Sequence, residues 1–160
     1  MQTLILPGYS SINKSWVDEV TNNLKLDGII RPFYWMHWSD ESSRFDPKEK
    51  AELIVKHLKD DNVRIIAKSI GTLVACNLIS LIPDQVTKII LCGVPVRDIS
   101  KEDFDKIKEV CSLYKNKITI IQNINDPHGT FEDVKEFGKV IPKESSDHNY
   151  PYYEDFNHNL

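Results

Sequence analysis

The stretch Val63-Arg64-Ile65-Ile66-Ala67-Lys68-Ser69-Ile70-Gly71-Thr72 decides the fold. Its first five residues form a β-branched, apolar run of strand length. From Ile70 to Ile82 the chain is apolar almost all round until Pro83 stops it, the pattern of a fully buried helix. A strand that turns within four residues into such a helix is the core of a βαβ unit.

Outward from this unit, similar runs recur at Thr3–Leu6, Ile29–Phe33, Lys88–Cys92 and Lys117–Gln122, with a weaker one at Lys139–Lys143. They are continuous rather than alternating, as in a parallel sheet covered on both faces. Helical patterns lie between them. Asp46-Pro47-Lys48-Glu49 supplies an N-cap, a proline at N1 and an acid at N3, and the stripe Ala51, Ile54, Val55, Leu58 predicts a helix over Lys48–Lys59. Ser100 with Asp103, and Thr130 with Asp133, open two more, the second ending at Gly138. Trp16, Val17, Val20 and Leu24 mark a helix near Ser15–Leu24, and Tyr150–Asn159 reads as a terminal one. Strict alternation of this kind predicts an α/β class, doubly wound, three-layer α/β/α fold on a six-stranded parallel sheet, in one domain over 1–160.

Composition narrows the function classes. With 20 Lys+Arg against 24 Asp+Glu the net charge is −4, which gives no footprint for a nucleic-acid backbone. Apolar residues at 41% exclude a disordered chain. No apolar run nears the ~18 residues of a membrane span, and the first residues lack a signal-peptide pattern. Three cysteines, Cys76, Cys92 and Cys111, without CxxC spacing read as buried thiols of a cytoplasmic protein. Neither a zinc spacing, a G-x-G-x-x-G nor a Walker lysine occurs, so no cofactor or metal is expected.

On a doubly wound sheet the chemistry sits at the carboxyl ends of the strands. Ala67-Lys68-Ser69-Ile70-Gly71 is a small-x-Ser-x-Gly sequence on a strand-to-helix turn, the context of a nucleophile elbow. Asn125-Asp126-Pro127 follows the fifth strand and suits an acid that orients a histidine, while also favouring an Asx-turn. Asp147-His148-Asn149-Tyr150 follows the sixth and offers a general base. The order Ser69, Asp126, His148 is that of the Ser-Asp-His triad on such sheets. Pro7-Gly8-Tyr9 places a glycine turn at the first strand end, so the Tyr9 N–H can pair with that of Ile70 as oxyanion donors.

The sequence resembles a small, minimal α/β-hydrolase-fold serine hydrolase, on Ala67–Thr72, Asn125–Pro127 and Asp147–Tyr150. The resemblance implies strand order 2-1-3-4-5-6, and the connection Gly93–Asn116, with room for one helix and little more, predicts no large cap. It also implies Ser69 as nucleophile, Asp126 as acid, His148 as base, and Tyr9 and Ile70 as backbone oxyanion donors. Rival residues stay open: Asp98 for the acid, and His158, near the end of the terminal helix, for the base. His128 sits close to Asp126 in sequence, His37 lies in the Tyr34–Trp38 aromatic cluster, and His57 reads as surface. Trp35 and Trp38 are expected to form an apolar substrate pocket, and Lys68 to face solvent inertly. The expected function is cleavage of a small-molecule carboxylic ester, thioester or small amide through an acyl-enzyme, with no nucleic-acid or membrane partner. The competing class is a non-catalytic binding module on a degenerate hydrolase or flavodoxin-like fold.

Overall fold

The computed structural model describes residues 1–58 and 61–160. Elements alternate as β1 (Gln2–Leu6), α1 (Asn13–Asn23), β2 (Ile29–Pro32), α2 (Pro47–His57), β3 (Val63–Lys68), α3 (Gly71–Leu81) and β4 (Val86–Cys92). Then come α4 (Lys101–Leu113), β5 (Ile118–Asn123), α5 (Phe131–Val134), β6 (Lys139–Lys143) and α6 (Tyr153–Asn159). The six strands form one sheet in the order β2-β1-β3-β4-β5-β6, every pair parallel. This is the doubly wound α/β architecture and strand order expected.

Alternate residues of the central strands feed two cores. Leu4, Leu6, Ile65, Ala67, Ile89, Leu91 and Ile120 pack with residues of α2, α3 and α4 on one face. Ile5, Ile66, Ile90, Cys92 and Ile121 pack on the other face with Trp16, Val17 and Val20 of α1 and Phe156 of α6. Every residue of α3 from Gly71 to Ile79 is buried. That explains its lack of a polar face: the sheet and α2 and α4 surround it. Each fully buried aliphatic side chain contributes roughly 1.5–3 kcal/mol, so this helix is fixed from several sides.

Caps follow the sequence signals. Asp46 accepts from the N–H groups of Lys48 and Glu49 with Pro47 at the start of α2. Thr130 and Asp133 form a reciprocal capping box at α5. Here the structure is shorter than the pattern: α5 tightens into a 3₁₀ turn at Lys135–Phe137 before Gly138. Helix α2 ends at His57, and Lys59, at the end of the expected helix, lies outside the described residues. No helix among the described residues is long and apolar enough to cross a membrane.

The winding direction changes at β1, because β2 lies on one side of it and β3 on the other. The crevice at such a switch point, beyond the carboxyl ends of β1 and β3, is where this architecture leaves room for a ligand. The turn Pro7–Tyr9 and Ser69 are therefore neighbours because of topology.

Candidate active site

Ser69 follows the last residue of β3 with φ of 53°, the one positive-φ non-glycine residue among those described. A left-handed backbone at a serine is strained. The surroundings hold it there. The Ser69 N–H donates to the Cys92 carbonyl at 3.0 Å, and its own carbonyl accepts from the Thr72 N–H and hydroxyl at 2.9 and 2.6 Å. Gly71 explains the small residue two positions on: a Cβ there would stand 2.3 Å from the Leu6 carbonyl oxygen and 2.7 Å from that of Pro7. Strand, loop and helix approach so closely that only glycine fits.

His148 and Asp126 come together. The His148 Nδ1 lies 2.6 Å from Asp126 Oδ2. Asp126 is fully buried, accepts the Tyr150 hydroxyl on the same oxygen, and takes the His128 N–H on Oδ1 at 2.8 Å. Burial pushes this carboxyl up, but the donors His148, Tyr150 and His128 N–H outweigh it and hold it below the usual carboxylate range. An ionised carboxylate only accepts, so His148 donates through Nδ1–H and its lone pair is on Nε2. That Nε2 is buried without a hydrogen-bond partner, and His148 lines the same cleft as Ser69.

Several residues that the motifs did not single out hold this arrangement. Gly93, at φ of +58°, has no Cβ; one there would meet Tyr150 Cε2 at 2.5 Å and His148 Cε1 at 2.8 Å. Asn123 donates to the carbonyls of Asp147 and Asn149 at 2.9 Å each, which ties the His148 loop to the end of β5. Trp16 Nε1 donates to the Tyr150 carbonyl at 3.0 Å across the second core. The detectable signal was polar residues, Gln122 and Asn123, ending an otherwise apolar strand that is wholly buried.

The cleft has a volume of about 470 Å³, within the range of small-molecule sites. Tyr9, Ser69, Ile70, His128 and His148 line it. Neither the Tyr9 nor the Ile70 N–H has a backbone acceptor among the described residues. Both residues line the cleft together with Ser69.

The tryptophans are placed differently from the expected pocket. Neither Trp35 nor Trp38 lines the Ser69 cleft. Their indoles brace the first loop instead: Trp35 Nε1 donates to the Pro7 carbonyl at 3.1 Å and Trp38 Nε1 to the Tyr9 carbonyl at 2.6 Å. His37 Nε2 donates to the same Tyr9 carbonyl at 2.7 Å, its ring stacked on Tyr9 at 4.4 Å. Indole N–H groups need acceptors when their rings pack, and the turn's carbonyls supply them. Lys68 is likewise not solvent-facing, being 6% exposed.

The rivals separate cleanly. His158 borders a surface hollow with Ile118 and Lys139, the first residues of β5 and β6, at the opposite edge of the sheet from Ser69. His57 bonds its own helix at the Leu53 carbonyl, 2.7 Å away. Asp98 lies in the Ser69 cleft but pairs with the His128 ring rather than with His148. Among the described residues no group of three metal-binding side chains occurs.

No protein-family model matches the sequence, and no curated protein matches it significantly. Solved structures do resemble this one. A YdeN-like protein from Pectobacterium atrosepticum superposes with TM-score 0.69 at 12% identity, covering 99% of this chain and 89% of that one. Mouse alpha/beta hydrolase domain-containing protein 10 gives 0.67 at 12%, covering 92% and 81%. An N-acyl homoserine lactone degrading enzyme gives 0.67 at 10%, covering 99% and 91%. With the sheet order and the elbow at Ser69, these likenesses establish that the chain has the α/β-hydrolase fold.

Proposed function

We propose that this protein is a serine hydrolase acting on a small-molecule carboxylic ester, thioester or small amide. The observation that carries the reading is the Asp126–His148 bond of 2.6 Å in the cleft of a serine held in the left-handed turn. His148 Nε2 takes the Ser69 hydroxyl proton as Oγ attacks the carbonyl, and Asp126 keeps Nδ1 protonated and stabilises the imidazolium. The Tyr9 and Ile70 N–H groups donate to the oxyanion of each tetrahedral intermediate. Collapse expels the alcohol, thiol or amine with the proton from His148. Water, deprotonated by the same imidazole, then frees the acid. One structural neighbour is an N-acyl homoserine lactone degrading enzyme, whose small-molecule substrate carries both a lactone and an amide, which supports this substrate class.

The connection from β4 to β5 holds α4 and little else, so among the described residues no large cap covers the cleft. Short or accessible acyl groups suit such an opening better than long lipid chains. Cys76, Cys92 and Cys111 are free and buried, which suits a reducing compartment, and we place the enzyme in the cytoplasm.

The reading is tested with a panel of short-chain methyl esters, thioesters and anilides. Turnover by the wild type should fall on the order of a million-fold in Ser69→Ala. Turnover that survives the substitution, or a folded wild type inert on every class, returns the chain to the non-catalytic alternative.

A further inference from the structure

Lys68 ends β3 immediately before Ser69, and its side chain is buried. Its ammonium donates to Asn13 Oδ1 at 2.9 Å and lies 5.6 Å over the Trp16 ring. Among the described residues, no carboxylate stands within ion-pair distance of it. An ammonium carries three donors, so with Asn13 as its one acceptor two N–H bonds face no protein acceptor among the described residues. A buried cation without a counter-ion is costly. Burial accordingly pulls the Lys68 pKa down, while the negative fields of Asp126 and Asp147 act against that.

The nearby acids are committed elsewhere. Asp126 takes three donors, Asp98 pairs with His128, and Asp147 accepts from the Asn149 N–H at 2.9 Å. Glu19 accepts from the Tyr153 hydroxyl. Asn13 cannot turn away either, since its Nδ2 donates to the Ser10 carbonyl at 2.8 Å and packs against Gly8. Lys68 borders two spaces, the Ser69 cleft and an adjoining hollow of about 440 Å³. Glu19 lines the hollow and Asp98 the cleft, but Asp98 is paired with the His128 ring whereas Glu19 accepts only a neutral hydroxyl, so an anion is favoured on the cleft side. Among the described residues Lys68 is the only lysine or arginine that lines the cleft.

We propose that Lys68, fixed by Asn13, is a carboxylate subsite, and that the preferred substrate is the half-ester or half-thioester of a short dicarboxylic acid. Lys68 and Ser69 line the same cleft, so one small substrate can set an anion at Lys68 and a carbonyl at Ser69. An anion on the acyl side stays paired through both attack and deacylation, whereas one on the leaving group departs after the first step. The subsite deepens the hydrolase reading and rests on it for its place in a reaction.

Monomethyl succinate and its uncharged isostere methyl 4-methylpentanoate test it, with acid release followed by pH-stat. The wild type should favour the succinate by about ten- to a hundredfold in kcat/KM, the worth of a hydrogen bond to a charged group. In Lys68→Met and Lys68→Gln that ratio should collapse towards one. An unbiased wild type overturns the proposal. So does a variant in which both substrates lose rate in equal proportion, since Lys68 would then only brace Asn13 and the oxyanion loop. Calorimetric titration of monomethyl succinate into Ser69→Ala, with and without Lys68→Met, separates the two readings. Lys68-dependent binding without turnover by the wild type sinks the hydrolase reading alone, and absence of binding sinks the subsite.

Discussion

Two Asp–His pairs share one cleft, and they differ in almost everything except their chemistry. In Asp126–His148 the acid is 0% exposed and the histidine side chain 19%; in Asp98–His128 the figures are 52% and 45%. The two rings lie 4.4 Å apart, tilted by 60°. The buried acid takes three donors and its histidine is walled in by Gly93 and Tyr150. Among the described residues the side chains of the exposed pair have only their mutual bond. Exposed ion pairs are worth about 0–1 kcal/mol and fix little geometry. On the proposed reading, proximity to Ser69 does not by itself make a histidine the base; a desolvated, over-determined acid behind it does.

The largest effect that would break this contrast is on turnover. His148→Ala should abolish ester hydrolysis on the order of a million-fold, as expected when base and nucleophile act as a unit. His128→Ala, assayed alongside, should stay within about an order of magnitude of wild type. Equal losses would make the two imidazoles a single apparatus.

Next come the acids. Asp126→Asn should lower kcat by about 10⁴-fold at neutral pH by fixing the wrong imidazole tautomer, with the fold intact by circular dichroism. Asp98→Asn should change it only a few-fold. The reverse ranking would move the acid to the end of β4.

A smaller effect sharpens the comparison through stability. The native Asp126 pKa is depressed, so the stability it supplies is present above the ordinary value of about 3.9 and is lost as pH falls through the native value. Urea unfolding should show Asp126→Ala destabilised by about 3 kcal/mol or more at pH 7, because buried donors lose their acceptor. That gap should narrow below pH 4. Asp98→Ala should cost under about 1 kcal/mol at either pH.

Much of the architecture was legible because burial writes itself into periodicity. The run Val63–Ala67 and the all-round apolar Ile70–Ile82 required a sheet covered by helices, and topology then brought Ser69 beside Pro7–Tyr9. The placement of Asp126 and His148 was legible as strand-end positions. Side-chain destinations were not. Trp35 and Trp38 are apolar enough to suggest a pocket, yet their N–H groups seek the carbonyls of a turn distant in sequence. Lys68 looked inert because a lysine's usual place is in water. Only the path of α1 past the end of β3, with Asn13 and Trp16 on it, creates a buried niche for its ammonium. Gly93 was silent because its reason for being glycine, contact with His148 and Tyr150, comes from a loop more than 50 residues further along the chain.

Reaction with a fluorophosphonate tests the central claim most directly, since such probes report an activated serine whatever the natural acyl group. The account predicts stoichiometric labelling of the wild type, mapped by peptide mass spectrometry to Ser69. It also predicts none in Ser69→Ala, and labelling at least about a hundredfold slower in His148→Ala, consistent with the loss of general-base catalysis. Labelling at another serine, or an unreactive Ser69 in folded protein, would contradict it.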